Sequence, residues 1–326
     1  MEQESAADRI VGGFLKLVGT GQLGDVLTLV TAAPPLVNAV GPHPFWGGRP
    51  QALHVAIEGK RRDMFDLLLE HGADVNGTND RYDHWSPMML AIDRHQPQMV
   101  DELRRRGARV GLLEALMLAD DAAVEEFLRA GKLPDITPNG GSILAFARTR
   151  YAIDRLIDLG APTDRKDRWG STPVDAISRL GATARPLVQH MVDRGIAATP
   201  KEYARLGDFD TLLRLVDADP GIAKLDSVMM AAVDFRHHTL VEWLLSRGAN
   251  VNARSDAQSR HTALHSAAWN GDREMAEILV NHRADLNARD SQYDGTPLGW
   301  AQKSIEVTNN ATCAEVVAYL AELDRQ

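Results

Sequence analysis

The sequence predicts an all-α repeat solenoid, and three observations predict it. A short marker recurs along the 326 residues: an apolar pair or triple, two or three spacers, then Gly-Ala and a polar run. The Gly positions of that marker, 72, 107, 160, 195, 248 and 283, are separated by 35, 53, 35, 53 and 35 residues. Apolar side chains beside it, such as Phe65, Leu67, Leu68 and Leu69, fall on one helical face and find no core within their own repeat. Stacking on neighbours buries such a face, so each repeat is stabilised by the next.

The marker reads Leu67-Leu68-Leu69-Glu70-His71-Gly72-Ala73-Asp74-Val75-Asn76 and returns as Leu244-Leu245-Ser246-Arg247-Gly248-Ala249-Asn250-Val251-Asn252. A variant, Ile278 to Asn287, puts Arg283 where Gly usually sits. A second marker lies upstream of it: Ala52-Leu53-His54-Val55-Ala56, Ser86-Pro87-Met88-Met89-Leu90-Ala91, Thr172-Pro173-Val174-Asp175-Ala176, Thr262-Ala263-Leu264-His265 and Thr296-Pro297-Leu298. Thr or Ser before Pro suits a helix start, with the hydroxyl as cap and Pro in the first turn. Gly72, Gly160 and Gly248 suit left-handed helix ends, and Arg283 in the same place is expected to be strained or differently capped.

Together these segments resemble the ankyrin repeat, from roughly Gly21 to Leu323. The resemblance implies stacked helix-turn-helix units with short finger loops, about ten in all. Each 53-residue interval hides a weakly marked copy, Leu112 to Gly131 and Lys201 to Gly221. Residues 1–18 are expected to form an N-terminal capping segment, and residues 19–323 a single continuous solenoid domain.

Composition narrows the function. No stretch reaches the 18 apolar residues of a membrane helix, and the N-terminus carries Glu2, Glu4 and Asp8 where a secretory signal needs basic residues. Cys313 is the only cysteine, which excludes an intramolecular disulfide. A net charge of −9 has the wrong sign for wrapping nucleic acid and leaves room for a basic protein partner. The expectation is a cytoplasmic, monomeric protein without cofactor or metal, bound neither to membrane nor to nucleic acid.

The family's binding surface lies on the finger tips and on the exposed side of each first helix, which line the concave face. Counting back from each helix start places Trp46, Tyr82, His84, Trp85, Trp169, His261, Tyr293 and Asp294 on or beside fingers. Counting forward places Arg94, Trp269 and Asn270 on the helix surface. Aromatic side chains at such positions are expected interface anchors, whereas Trp243 and Trp300 are expected to pack inside. The reading is a non-enzymatic protein-interaction module. The alternative is a small-molecule site or enzyme in the same groove, built by His43, His84, His261, Asp83 and Asp294 with Arg49, Arg81 and Arg260. No phosphate loop, nucleophile elbow or His-Glu-x-x-His appears. His54 and His265 are read as structural, bonded to the backbone of the neighbouring finger.

Overall fold

The computed structural model describes residues 5–45, 48–77, 85–133 and 140–325. Among the described residues the chain is helical, with one isolated bridge, Arg254 to Thr262, as its extended pairing. No helix there is long and apolar enough to cross a membrane. The chain divides into two compact units, Met1–Gly170 with Val307–Asn309, and Ser171–Glu306 with Asn310–Gln326.

In the first unit α1 (Ala6–Thr20) pairs with α2 (Leu23–Ala32), α3 (Ala52–Glu58) with α4 (Arg62–Glu70), and α5 (Pro87–Asp93) with α6 (Pro97–Arg105). Next come α7 (Leu112–Met117) with α8 (Asp121–Leu128), then a 3-10 turn, Ile143–Phe146, packed on α9 (Arg150–Asp158). First helices stack in sequence, α1 on α3, α3 on α5 and α5 on α7. The segment expected to cap the N-terminus is thus mostly the first helix of a pair, started by Ser5 Oγ accepting from the Asp8 N–H.

The second unit repeats the plan. Its pairs are α10 (Pro173–Ser178) with α11 (Arg185–Asp193), α12 (Pro200–Arg205) with α13 (Phe209–Ala218), α14 (Asp226–Asp234) with α15 (His238–Ser246), and α16 (Ala263–Trp269) with α17 (Arg273–Asn281). Helix α18 (Pro297–Thr308) follows, and α19 (Cys313–Leu323) packs on α16 and α17. Both weakly marked copies are helical, as α7–α8 and α12–α13.

Local chemistry sets these elements. Ser86 Oγ accepts from Met89 N at 3.1 Å and Thr172 Oγ1 from Asp175 N at 3.2 Å, each followed by Pro in the first turn. Asp208 and Asp272 cap α13 and α17 in the same way. The Asn that ends the marker ties each copy to the next: Asn76 Oδ1 accepts from Arg109 N at 2.8 Å, and Asn252 Oδ1 from Asp285 N at 2.9 Å. Ala56, Ala91, Ala267 and Ala301 are fully buried, so the helices approach closely there. A larger residue would force them apart, at roughly 1–3 kcal/mol. The 3-10 turn has a simple cause. Its cap Ser142 precedes the next cap, Thr149, by seven residues, whereas Thr262 precedes Asp272 by ten. The missing three residues are most of one helical turn.

Candidate functional site

In the second unit the fingers before α16 and α18 are held together by few groups. Arg254 Nη1 donates to the carbonyls of Arg260 (2.7 Å) and Arg289 (3.2 Å), and Ser291 N donates to Ser259 O at 2.6 Å. Asp290, buried at the finger's root, accepts from the backbone N–H of Gln292, Tyr293 and Gly295 and from Trp300 Nε1 at 3.0 Å. Burial would raise its carboxyl, yet these donors hold it below the usual carboxylate range. The tip therefore stands on a rigid base. Tyr293 is 57% exposed there, and Asp294 pairs with Arg289 at 2.9 Å.

Trp300 is the hub of the unit's aromatic residues. Expected inside, it is half-buried, because its indole N–H is drawn to Asp290 at the finger. Its ring meets His261 at 4.8 Å, His265 at 5.2 Å and Trp269 at 5.7 Å between centroids. His261 Nδ1 is within hydrogen-bond distance of the hydroxyls of Ser255 (3.0 Å) and Ser259 (2.8 Å). Burial pushes its pKa down to about 4, so it is neutral near pH 7. Trp269 ends α16 half-buried, and its carbonyl accepts from Ser304 Oγ at 2.8 Å. Asn270 Nδ2 reaches the Asp234 carbonyl at 3.5 Å. Trp243, the other ring expected inside, is also half-buried, edge-on to Phe209 at 5.0 Å under Arg247.

A charged cluster that sequence reasoning missed lies on α10 and α12. Asp175, buried, receives Arg205 Nη1 at 2.8 Å and Arg179 Nη2 at 3.1 Å, with Lys201 Nζ 3.5 Å away. Burial alone would raise the carboxyl; Arg205, Arg179 and Lys201 together hold it at about 2. The available signal was an acid in the marker position that carries His54 and His265 elsewhere, with Arg179 four residues on.

In the first unit Trp85 is half-buried and edge-on to Phe146 at 6.1 Å. Arg94 ends α5, 3.4 Å from Asp93. Trp169 is 55% exposed, on a turn where Asp167 Oδ1 accepts from its N–H and Arg168 lies over its ring. Trp46, Tyr82, Asp83, His84 and Arg81 lie outside the described residues.

The described part of the catalytic alternative is divided between the two units. His43 is buried in the first unit, its Nε2 donating to Glu58 Oε2 at 2.7 Å and its Nδ1 accepting from Phe45 N. Arg49 pairs with Asp8. His261 is held beneath the second unit's finger and Asp294 at its tip. No three His, Cys, Asp or Glu among the described residues are placed to hold a metal ion. His237 and His238 bond across copies, His237 to the Arg205 carbonyl at 2.8 Å and His238 to Asp272 at 3.0 Å.

Three windows of the chain, residues 31–114, 196–290 and 229–324, match the family model described as ankyrin repeats. Over 63 residues, 19% of this chain and 15% of the relative, the sequence is 41% identical to the "Ankyrin repeat and SOCS box protein 6" of Homo sapiens. The Mus musculus protein of that name matches equally. Over 260 residues, 76% of this chain and 9% of the relative, it is 23% identical to "Ankyrin repeat and KH domain-containing protein mask-1" of Caenorhabditis elegans. The chain thus spans a small part of the length of the curated relatives it matches. The caps, the finger-reaching histidines, the Asn ties and windows covering well over half the sequence converge on one assignment: the chain belongs to the ankyrin-repeat family.

Proposed function

We propose that this chain is a non-enzymatic interaction module that holds a protein partner through finger and first-helix side chains. Trp85, Arg94, Trp169, His261, Trp269, Asn270, Tyr293 and Asp294 are its described contact residues, with Trp46, Tyr82 and His84 completing the set. The observation that carries this reading is the Trp269–Trp300–Asp290 arrangement, in which half-buried rings are positioned before any partner arrives. A prepositioned aromatic side chain loses little entropy on binding and serves as an anchor. The net charge of −9 favours a partner with a basic surface at long range, while contact chemistry is decided locally. A cytoplasmic location agrees with the lone cysteine.

Affinity capture with mass spectrometry, comparing the native chain with a Trp85→Ala, Trp269→Ala double variant, tests the reading. The double variant is expected to lose the partner while keeping its helical circular dichroism. Retention of the same partner by a folded double variant would reject the assigned surface.

A further inference from the structure

Asp175 gathers three cations where one would neutralise it. Its Oδ2 accepts from Arg179 Nε (3.3 Å) and Nη2 (3.1 Å), and its Oδ1 from Arg205 Nη1, with Lys201 beside it. Arg205 spends one nitrogen on this cluster: Nη1 also donates to the Asp175 carbonyl (3.1 Å) and the Ser178 hydroxyl (3.1 Å). Its Nε and Nη2 have no hydrogen-bond partner among the described residues, so one edge of a fixed guanidinium is unspent. The side chains of Arg179 and Lys201 are 56% and 31% exposed. Opposing carboxylates are few. Asp234, exposed at the end of α14, faces the same three cations, and Glu202 is turned back onto the Thr199 N–H and hydroxyl. Three cations against Asp175 and Asp234 leave an excess positive charge on a chain whose net charge is −9.

Further along the same row of helix ends the surface becomes apolar. Phe235 lies half-buried against Gly181, and Trp269 follows at the end of α16. We propose that this row holds an extended acidic segment of a protein partner, with carboxylates on Arg179, Lys201 and Arg205 and an apolar side chain on Trp269. The proposal rests on the interaction reading above and gives the partner a chemistry. The planar guanidinium fork pairs with carboxylates through two parallel N–H bonds, which fixes register as well as charge. Helices α12, α14 and α16 stack in order at about 10 Å per step, so the two subsites lie about 20 Å apart. An extended chain rises about 3.3 Å per residue, which separates the acidic group from the apolar anchor by about six residues.

Fluorescence anisotropy of labelled peptides against the full chain tests this. The probe carries two Glu, a six-residue Gly/Ser spacer and a Leu; its sisters carry Lys for Glu, phosphoserine for Glu, or Ser for Leu. The acidic probe is expected to bind and to weaken at least tenfold on an Arg179→Glu, Lys201→Glu double change, on Trp269→Ala, or in about 0.5 M salt. Arg179 is exposed and Lys201 half-buried, and circular dichroism confirms that the variants fold. Stronger binding of the Lys peptide, binding of the phosphoserine peptide alone, or an acidic probe indifferent to both variants overturns the proposal. If no peptide binds while a captured partner still depends on Trp269, the acidic segment is wrong and the interaction reading stands. A captured partner independent of Trp85 and Trp269 removes both.

Discussion

His54 and His265 hold the same place in two copies of the repeat, one in each unit, and they are not equally satisfied. Each donates from Nε2 to the backbone of the following finger, His54 to the Trp85 carbonyl at 3.1 Å and His265 to the Gly295 carbonyl at 3.0 Å. The other ring nitrogen differs. His265 Nδ1 accepts from the Thr262 hydroxyl (2.8 Å) and N–H (3.2 Å), whereas His54 Nδ1 is buried without a partner. The cause stands three residues upstream, where Gln51 replaces Thr and turns its amide to the Asn38 carbonyl. One motif therefore carries two separable functions. The imidazole ties neighbouring copies, and the hydroxyl at the helix start completes the imidazole's bonds. The same two copies differ again at Gly72 and Arg283, with φ of +84° and +68°. Both are followed by equal closing bonds, Ala73 N to Leu68 O and Ala284 N to Leu279 O, each 3.0 Å. Arg283 thus takes glycine's conformation at a cost of about 1–2 kcal/mol.

The largest expected effect is acidification. Burial pushes His54 down to about 4, while the unfolded chain titrates near 6.5. Between those values the unfolded state binds the extra proton, so this contribution is complete above pH 6.5 and is lost as pH falls toward 4. The loss is on the order of 2–3 kcal/mol. Urea midpoints of the native chain and of His54→Asn at pH 7.5 and 5 isolate it, because the variant lacks that slope. His265 is lowered less, so His265→Asn should change the slope less; equal changes would break the contrast.

Next comes the hydroxyl. Thr262→Val removes the hydroxyl donor to His265, and is expected to destabilise by about 1 kcal/mol. Gln51→Thr supplies what His54 lacks and is expected to stabilise by about 1 kcal/mol. Thermal melts decide whether Gln51's own bond to Asn38 is worth more. The smallest effect is at the helix end: Arg283→Gly is expected to gain roughly 0.5–1 kcal/mol, and Gly72→Ala to lose a similar amount. An unchanged melt for Arg283→Gly would mean the closing bonds already offset the strain.

Much of the fold was legible because its determinants are local. Ser86 and Thr172 cap their own helices, Gly72 closes its own, and α7–α8 and α12–α13 lie within the spacing of 53 residues. The candidate surface was legible by position and less so by contact. Trp269 and Tyr293 were found by counting, but Trp300 was assigned to the interior because helical periodicity carries no information about Asp290 on the preceding finger. Asp175 with Arg205, and His238 with Asp272, are 30 and 34 residues apart, beyond any helical spacing.

The sequence by itself determined the repeat, its caps and the row of positions open to a partner, since each follows from chemistry within a few residues. Only the tertiary structure decided which charges meet, which rings stay exposed and which buried lone pair goes unmet. Those outcomes depend on how one copy's helix ends align with the next. That alignment is set by packing along the stack, where a few ångströms select the partner of each side chain. The spacing of 35 and 53 residues specifies that copies stack; it does not specify that Asp175 gathers three cations while His54 keeps an unpaired nitrogen.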